Sequence, residues 1–169
     1  MRCWGANLRF VNKAEHQRRD EPDYISQLQE ELKVDLVIPE GGSQQDALVG
    51  MQAMLEEIEY ANTGKPFDAI ILPVASGATL AGVIAHCPRH LAKKIIGIAA
   101  LKGEGYLESL VTQFVPNCDT NKDTPFSPWH INHNFHFGGY AKTSQELSHF
   151  CQAFNLSQQQ TKATNNKDT

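Results

Sequence analysis

The chain has 169 residues, 41% of them hydrophobic and 20% charged, enough for one globular core and too few for two comfortable ones. A formal net charge of −4 without any Lys/Arg block argues against nucleic acid as a partner. There is no apolar run long enough for a signal-peptide core or a membrane span, so the expected location is the cytosol, with no membrane partner.

In chain order, "NLRFV" at 7–11 is a short strand candidate. "EPDYISQLQEELK" after Asp20 has a proline just inside a helix start and apolar residues at helical spacing. "DLVIPEGG" reads as a strand ending at Pro39 and a glycine turn. From Ser43 to Ala61 the spacing predicts a helix with Ala47, Met51, Met54, Leu55 and Ile58 on one face, Ser43 as its cap and Asp46 in its first turn.

"FDAIILPV", 67–74, is an almost unbroken apolar run, expected as a strand buried on both faces. "TLAGVIAHC" continues as a helix up to Pro88, "KIIGIAAL" at 94–101 is a second apolar strand, and "KGEGYLESLVTQFV" is a turn and a helix. Strands alternating with helices at this spacing predict an α/β domain with a parallel sheet. A polar, proline-bearing loop is expected at 116–128, followed by an irregular segment, "WHINHNFHFGGYAK". "TSQELSHFCQAF" reads as a helix with a capping box from Thr143 to Glu146, and residues 156–169 as a disordered polar tail behind a domain spanning 1–155.

The four cysteines Cys3, Cys87, Cys118 and Cys151 form no CxxC pair and read as reduced structural thiols. His130, His133 and His136 recur every three residues. On a strand His133 would point away from the other two, and no carboxylate accompanies them in the segment, so no metal site is expected there.

"VASGATLAG", 74–82, stands where a strand turns into a helix. In an open parallel sheet, ligands bind outside the carboxyl ends of the strands. Small residues there allow close main-chain approach, the helix start converges several N–H groups on one point, and Ser76 and Thr79 add hydroxyl donors, all of which suit a phosphate. The stretch is neither a P-loop nor a dinucleotide fingerprint, and a tight packing turn has the same pattern. "IPEGGS", 38–43, is a second turn of this kind, and "FGGYAK", 137–142, presents Tyr140 with Lys142 nearby.

Taken together, "VIPEGGS", "FDAIILPVASGATLAG", "IIGIAALKGEGYLESL" and "WHINHNFHFGGYAKTSQELSHFCQAF" resemble, in order and spacing, the 1-aminocyclopropane-1-carboxylate (ACC) deaminase and D-cysteine desulfhydrase family. The likeness runs from about residue 6 to about residue 155. That family is pyridoxal-phosphate dependent and similar to tryptophan synthase β. The resemblance implies a partial three-layer parallel sheet of that architecture (fold type II) and pyridoxal 5′-phosphate as cofactor. It also implies removal of ammonia or sulfide from a small amino-acid substrate by the parent enzymes, which are typically homo-oligomers.

By the same resemblance, Ser76, Gly77, Ala78 and Thr79 hold the cofactor phosphate, and Tyr140 is the catalytic candidate, orienting a substrate carboxylate or assisting proton transfer. The family's loop is usually Gly-Ser-Gly-Gly-Thr, so Ala75 and Ala78 depart from it, and alanine would be strained wherever a positive φ is needed. The Schiff-base lysine lies in the family's Gly-Asn-Lys segment, followed by Ser-Asn-His. Neither string occurs here, nor does the Tyr-Thr-Gly-Lys-like segment beside the pyridine nitrogen. Lys102 and Lys142 are conceivable substitutes that the resemblance does not assign. The chain is therefore expected to be a shortened, inactive and association-prone member. The alternative is a non-catalytic binding module for a phosphorylated small ligand.

Overall fold

The computed structural model describes residues 5–62, 64–115 and 127–165, with side chains to 157. Helices α1 (Lys13–Gln17), α2 (Pro22–Leu32) and α3 (Ala47–Ala61) precede strand β1 (Ile70–Val74). The chain continues through α4 (Ala78–His86), β2 (Ile95–Ala99), α5 (Tyr106–Phe114), β3 (Trp129–Asn132) and α6 (Gln145–Asn165). The three strands form one parallel sheet in the order β1-β2-β3, with Ile70 opposite Ile95 and Ile95 opposite Trp129. This is the α/β architecture expected, as a partial form of the tryptophan synthase β-like fold.

Side-chain alternation explains the core. Val74 on β1, Ile95, Gly97 and Ala99 on β2 and Ile131 on β3 face one side, where Leu80, Val83 and Ile84 of α4 and Leu107 and Val111 of α5 cover them. Each such aliphatic side chain contributes about 1.5–3 kcal/mol by leaving water. α3 packs on α4 through Leu48, Met51 and Leu55, and Gly82 is the position that lets Met51 in. That face is rotated from the expected one, for Met54 is 37% exposed. Cys87 is buried at the end of α4, and burial pushes its thiol pKa up, which suits a structural thiol.

Two expectations about the strands are corrected. The run at 67–74 is not buried on both faces, since Ile71 is 63% exposed and Pro73 exposed, so among the described residues helices cover β1 on one side only. With β1 at the sheet edge, the missing N–H of Pro73 costs no ladder bond. Conversely, β3 lies in the segment expected to be irregular. Trp129 and Ile131 turn inward and His130 outward, a four-residue alternation too short to stand out beside its histidines.

The expected strands at 7–11 and 35–39 do not form. Phe10 is 84% exposed and Ile38 67%, and among the described residues neither segment has a neighbouring strand to take its backbone hydrogen bonds. The N-terminal helices are tied instead by polar contacts, with Arg9 bridging Glu15 and Glu31, Tyr24 donating to Glu15, and Arg18 stacked over the Tyr24 ring.

At α6 the capping residue is Ser144 rather than Thr143, its hydroxyl accepting the Leu147 N–H at 3.0 Å. The helix continues to Asn165, into the stretch read from sequence as a disordered tail, where three successive glutamines, 158–160, favour helix. Most of the expected polar loop, 116–126, lies outside the described residues, as do Cys3, Cys118 and the end of the tail.

Candidate functional site

The carboxyl ends of all three strands lie on one edge of the sheet, because the pairing is parallel. β1 leaves that edge through Ala75 and Ser76 and enters α4 at Gly77, whose φ of 84° is left-handed. A side chain at Gly77 would be strained by its φ and would also meet Leu110 Cβ at 3.0 Å and the Val111 nitrogen at 3.2 Å. Glycine is thus required both by the turn and by the close seat of the loop against α5.

No side chain caps α4, so its first N–H groups are available to a ligand at the positive end of the helix dipole. Ala75 and Ala78 do not have positive φ, so the two departures from the family's glycines carry no strain. The loop borders a hollow of about 170 Å³ between Pro73 and Leu80, lined by Ser76, Gly77 and Thr79 and, among the described residues, by no lysine. A larger hollow of about 300 Å³, lined by Gln52, Glu56 and His86, lies between α3 and α4 at the far end of α4.

The turn Glu40–Gly42 comes against this loop. A Cβ built on Gly41, whose φ is 70°, would fall 2.9 Å from both Cβ and Oγ of Ser76. The two glycine turns singled out in the sequence are therefore neighbours in space. Ser43, however, does not cap α3. That helix starts four residues later behind Asp46, after the chain has turned through Gln44 and Gln45.

Tyr140 lies in the connection that follows β3 and is 74% exposed, with no contact to the loop at Ser76–Thr79 among the described interactions. Its turn is unusual, for Phe137, Gly138, Gly139 and Ala141 all have positive φ. Non-glycine residues in that region are uncommon and hold local strain. Lys102, in the loop after β2, and Lys142 are both exposed.

The histidines are used separately. His130 faces solvent and His136 Nδ1 accepts the Gly138 N–H at 3.0 Å. His133 Nε2 lies 2.7 Å from Glu108 Oε1. Among the described residues no three His, Cys, Asp or Glu groups come together as a metal site.

Sequence reading missed the Glu108–His133 pair, because its members stand 25 residues apart with no local pattern to join them. Glu108 Oε2 also accepts the Gly105 N–H at 2.7 Å, so one carboxylate ties the start of α5 to the end of β3 on the ligand edge. Burial raises the Glu108 pKa, but hydrogen bonds from His133 and from the backbone outweigh it, and the carboxyl is held below its usual value of 4.5. A depressed pKa in the folded state adds stability that is complete above that usual value and vanishes as pH falls through the lower folded one. The side chain is one-third exposed, so the contribution is under about 1 kcal/mol. Glu108→Gln should accordingly shift the urea midpoint only slightly at pH 7, and the difference from the parent should shrink as pH falls through the lowered folded pKa of Glu108, as a series of unfolding curves would record.

No known family model and no curated protein matches the sequence. Among solved structures, a similar one is described as the crystal structure of an ACC deaminase homologue, with a TM-score of 0.54 over 82% of this chain at 21% identity. The chain shares that protein's fold. It spans 42% of the length of that structure, so the correspondence is to a part of it. No helix among the described residues is long and apolar enough to cross a membrane.

Proposed function

We propose that this chain holds the phosphate of pyridoxal 5′-phosphate at Ser76–Thr79, as the phosphate-binding part of a deaminase or desulfhydrase-type domain of fold type II. The observation that carries the reading is the left-handed Gly77 at the entrance of an uncapped α4, on the carboxyl edge of a parallel sheet. The fold shared with an ACC deaminase homologue supports it, as does the hollow beside Ser76 and Thr79.

The residues present fit the phosphate end of the cofactor. When bound, the group supplies an electron sink for amino-acid chemistry. The chain's own part is to hold the anion. Backbone N–H groups at the start of α4 converge on it, the hydroxyls of Ser76 and Thr79 donate to it, and the small residues admit it to the main chain. Tyr140 would face a substrate only if its connection folds over the edge, and the run of left-handed residues around it is where such a movement would be stored.

At the aldehyde end the fit is poorer. Among the described residues no lysine lines the hollow, and Lys102 and Lys142 are exposed, which favours non-covalent retention over catalysis. The substrate of the parent activity, a small amino acid, enters through the resemblance alone, and so does the suggestion of a homo-oligomer.

The test is a calorimetric and absorbance titration with pyridoxal 5′-phosphate and with phosphate-free pyridoxal, followed by borohydride reduction and peptide mapping. Saturable binding that needs the phosphate and leaves no reduced lysine adduct is the expected result. An adduct mapped to one lysine would restore a catalytic reading. Indifference to both compounds would remove the phosphate site altogether.

A further inference from the structure

The Ser43 hydroxyl has lost the helix-capping role its position in the sequence suggests, and it has gained no other. Its oxygen is shielded from solvent and has no hydrogen-bond partner among the described residues. The point where a Cβ on Gly41 would stand is 3.3 Å from this oxygen and 2.9 Å from Ser76 Oγ. Both hydroxyls therefore lie close to the position that glycine leaves open, and one of them belongs to the loop that opens α4.

We propose that Ser43 is a positioning residue of the anion site: its hydroxyl donates to Ser76 Oγ, while Ser76 donates to an oxygen of a bound phosphate monoester. The proposal rests on the phosphate reading of the loop. A serine hydroxyl donates one hydrogen bond and accepts two, so Ser76 can serve the anion and accept from Ser43 together. Ser43 Oγ has no partner among the described residues, so forming this bond requires the two serine side chains to turn toward each other. Anion binding then satisfies the buried oxygen, and two hydroxyls in series polarise each other. Gly41 is required because a Cβ there would press on Ser76 at 2.9 Å and crowd Ser43 Oγ at 3.3 Å.

The experiment is a double-mutant cycle on the full chain, with inorganic phosphate and pyridoxal 5′-phosphate as the titrants. Ser43→Ala is expected to weaken phosphate binding about fivefold and Ser76→Ala about tenfold. The double variant should be no weaker than Ser76→Ala alone, because Ser43 acts only through Ser76. Ser43→Thr should restore most of the affinity. A purely structural serine would instead lower the urea midpoint and leave the cycle additive. Should Ser43→Ala not fold, Ser43→Cys keeps the bulk with a poor donor and should show the same coupling. Phosphate binding by the parent chain with an additive cycle, or with unchanged affinity in Ser43→Ala, would overturn the proposal and leave the phosphate site standing. Absence of binding by the parent chain would overturn both.

Discussion

Gly77→Ala is expected to lower phosphate affinity by about tenfold or more and to destabilise the chain by about 1–2 kcal/mol. Alanine at a φ of 84° is strained, and its methyl would press on Leu110 Cβ at 3.0 Å and on the Val111 nitrogen at 3.2 Å. Neither neighbour can yield freely, for one is close to its backbone and the other is backbone inside α5. Relief comes from moving the loop outward, which carries the N–H groups of α4 off their common point. Ala78→Gly makes an instructive partner. It moves the loop toward the family's glycine-rich pattern, yet Ala78 has no positive φ, so no gain in affinity should follow. Only a loss of about 0.5–1 kcal/mol in stability is expected from glycine within the first turn of the helix. Calorimetric titration with inorganic phosphate, with urea unfolding alongside, measures both.

Gly97→Ala should destabilise the fold by about 1–3 kcal/mol through overpacking. The added methyl would stand 2.6 Å from Val74 Cγ2, 2.9 Å from Leu80 Cδ2 and 3.3 Å from Ile131 Cγ1, so it would push on both neighbouring strands and on α4 at once. Gly50→Ala provides the opposite sign. Gly50 lies within α3 with nothing within 4 Å of the added methyl, and alanine there should stabilise the helix by about 0.5–1 kcal/mol. Urea midpoints of the two variants should therefore move in opposite directions from the parent's. Equal midpoints would mean that β2 is not packed under α4 as described.

Much of the central fold was legible because it is locally determined. The runs of Ile70–Val74 and Ile95–Ala99, each followed by small residues and a helical pattern, could hardly fold otherwise than as parallel strands with crossover helices. Legibility failed where a segment's state depends on a partner. "NLRFV" and "DLVIP" have strand composition but no strand beside them among the described residues, whereas "WHIN", with Trp129 and Ile131 as strand formers but only four residues long, is recruited by the free edge of β2. The site divides in the same way. The turn at Ser76–Thr79 could be placed from its small residues, but the approach of Gly41 to Ser76 and the pairing of Glu108 with His133 are contacts across the chain that no spacing encodes.

The order of the sheet carries a consequence for how it comes apart. Ile70 meets Ile95, 25 residues on, and Ile95 meets Trp129, 34 residues on, so closure entropy alone separates the two pairings by less than about 0.5 kcal/mol. What separates them is the cover. β1 and β2 bury Val74, Ile95 and Ala99 beneath Leu80 and Ile84 of α4, while β3 contributes Ile131 and a partly buried Trp129. β3 is thus the strand that joins last and leaves first, and its amides should exchange with deuterium well before those of β2. Its departure would break the tie from His133 to Glu108 yet leave Ser76 and Gly77 in place, so the two halves of the ligand edge would have different lifetimes.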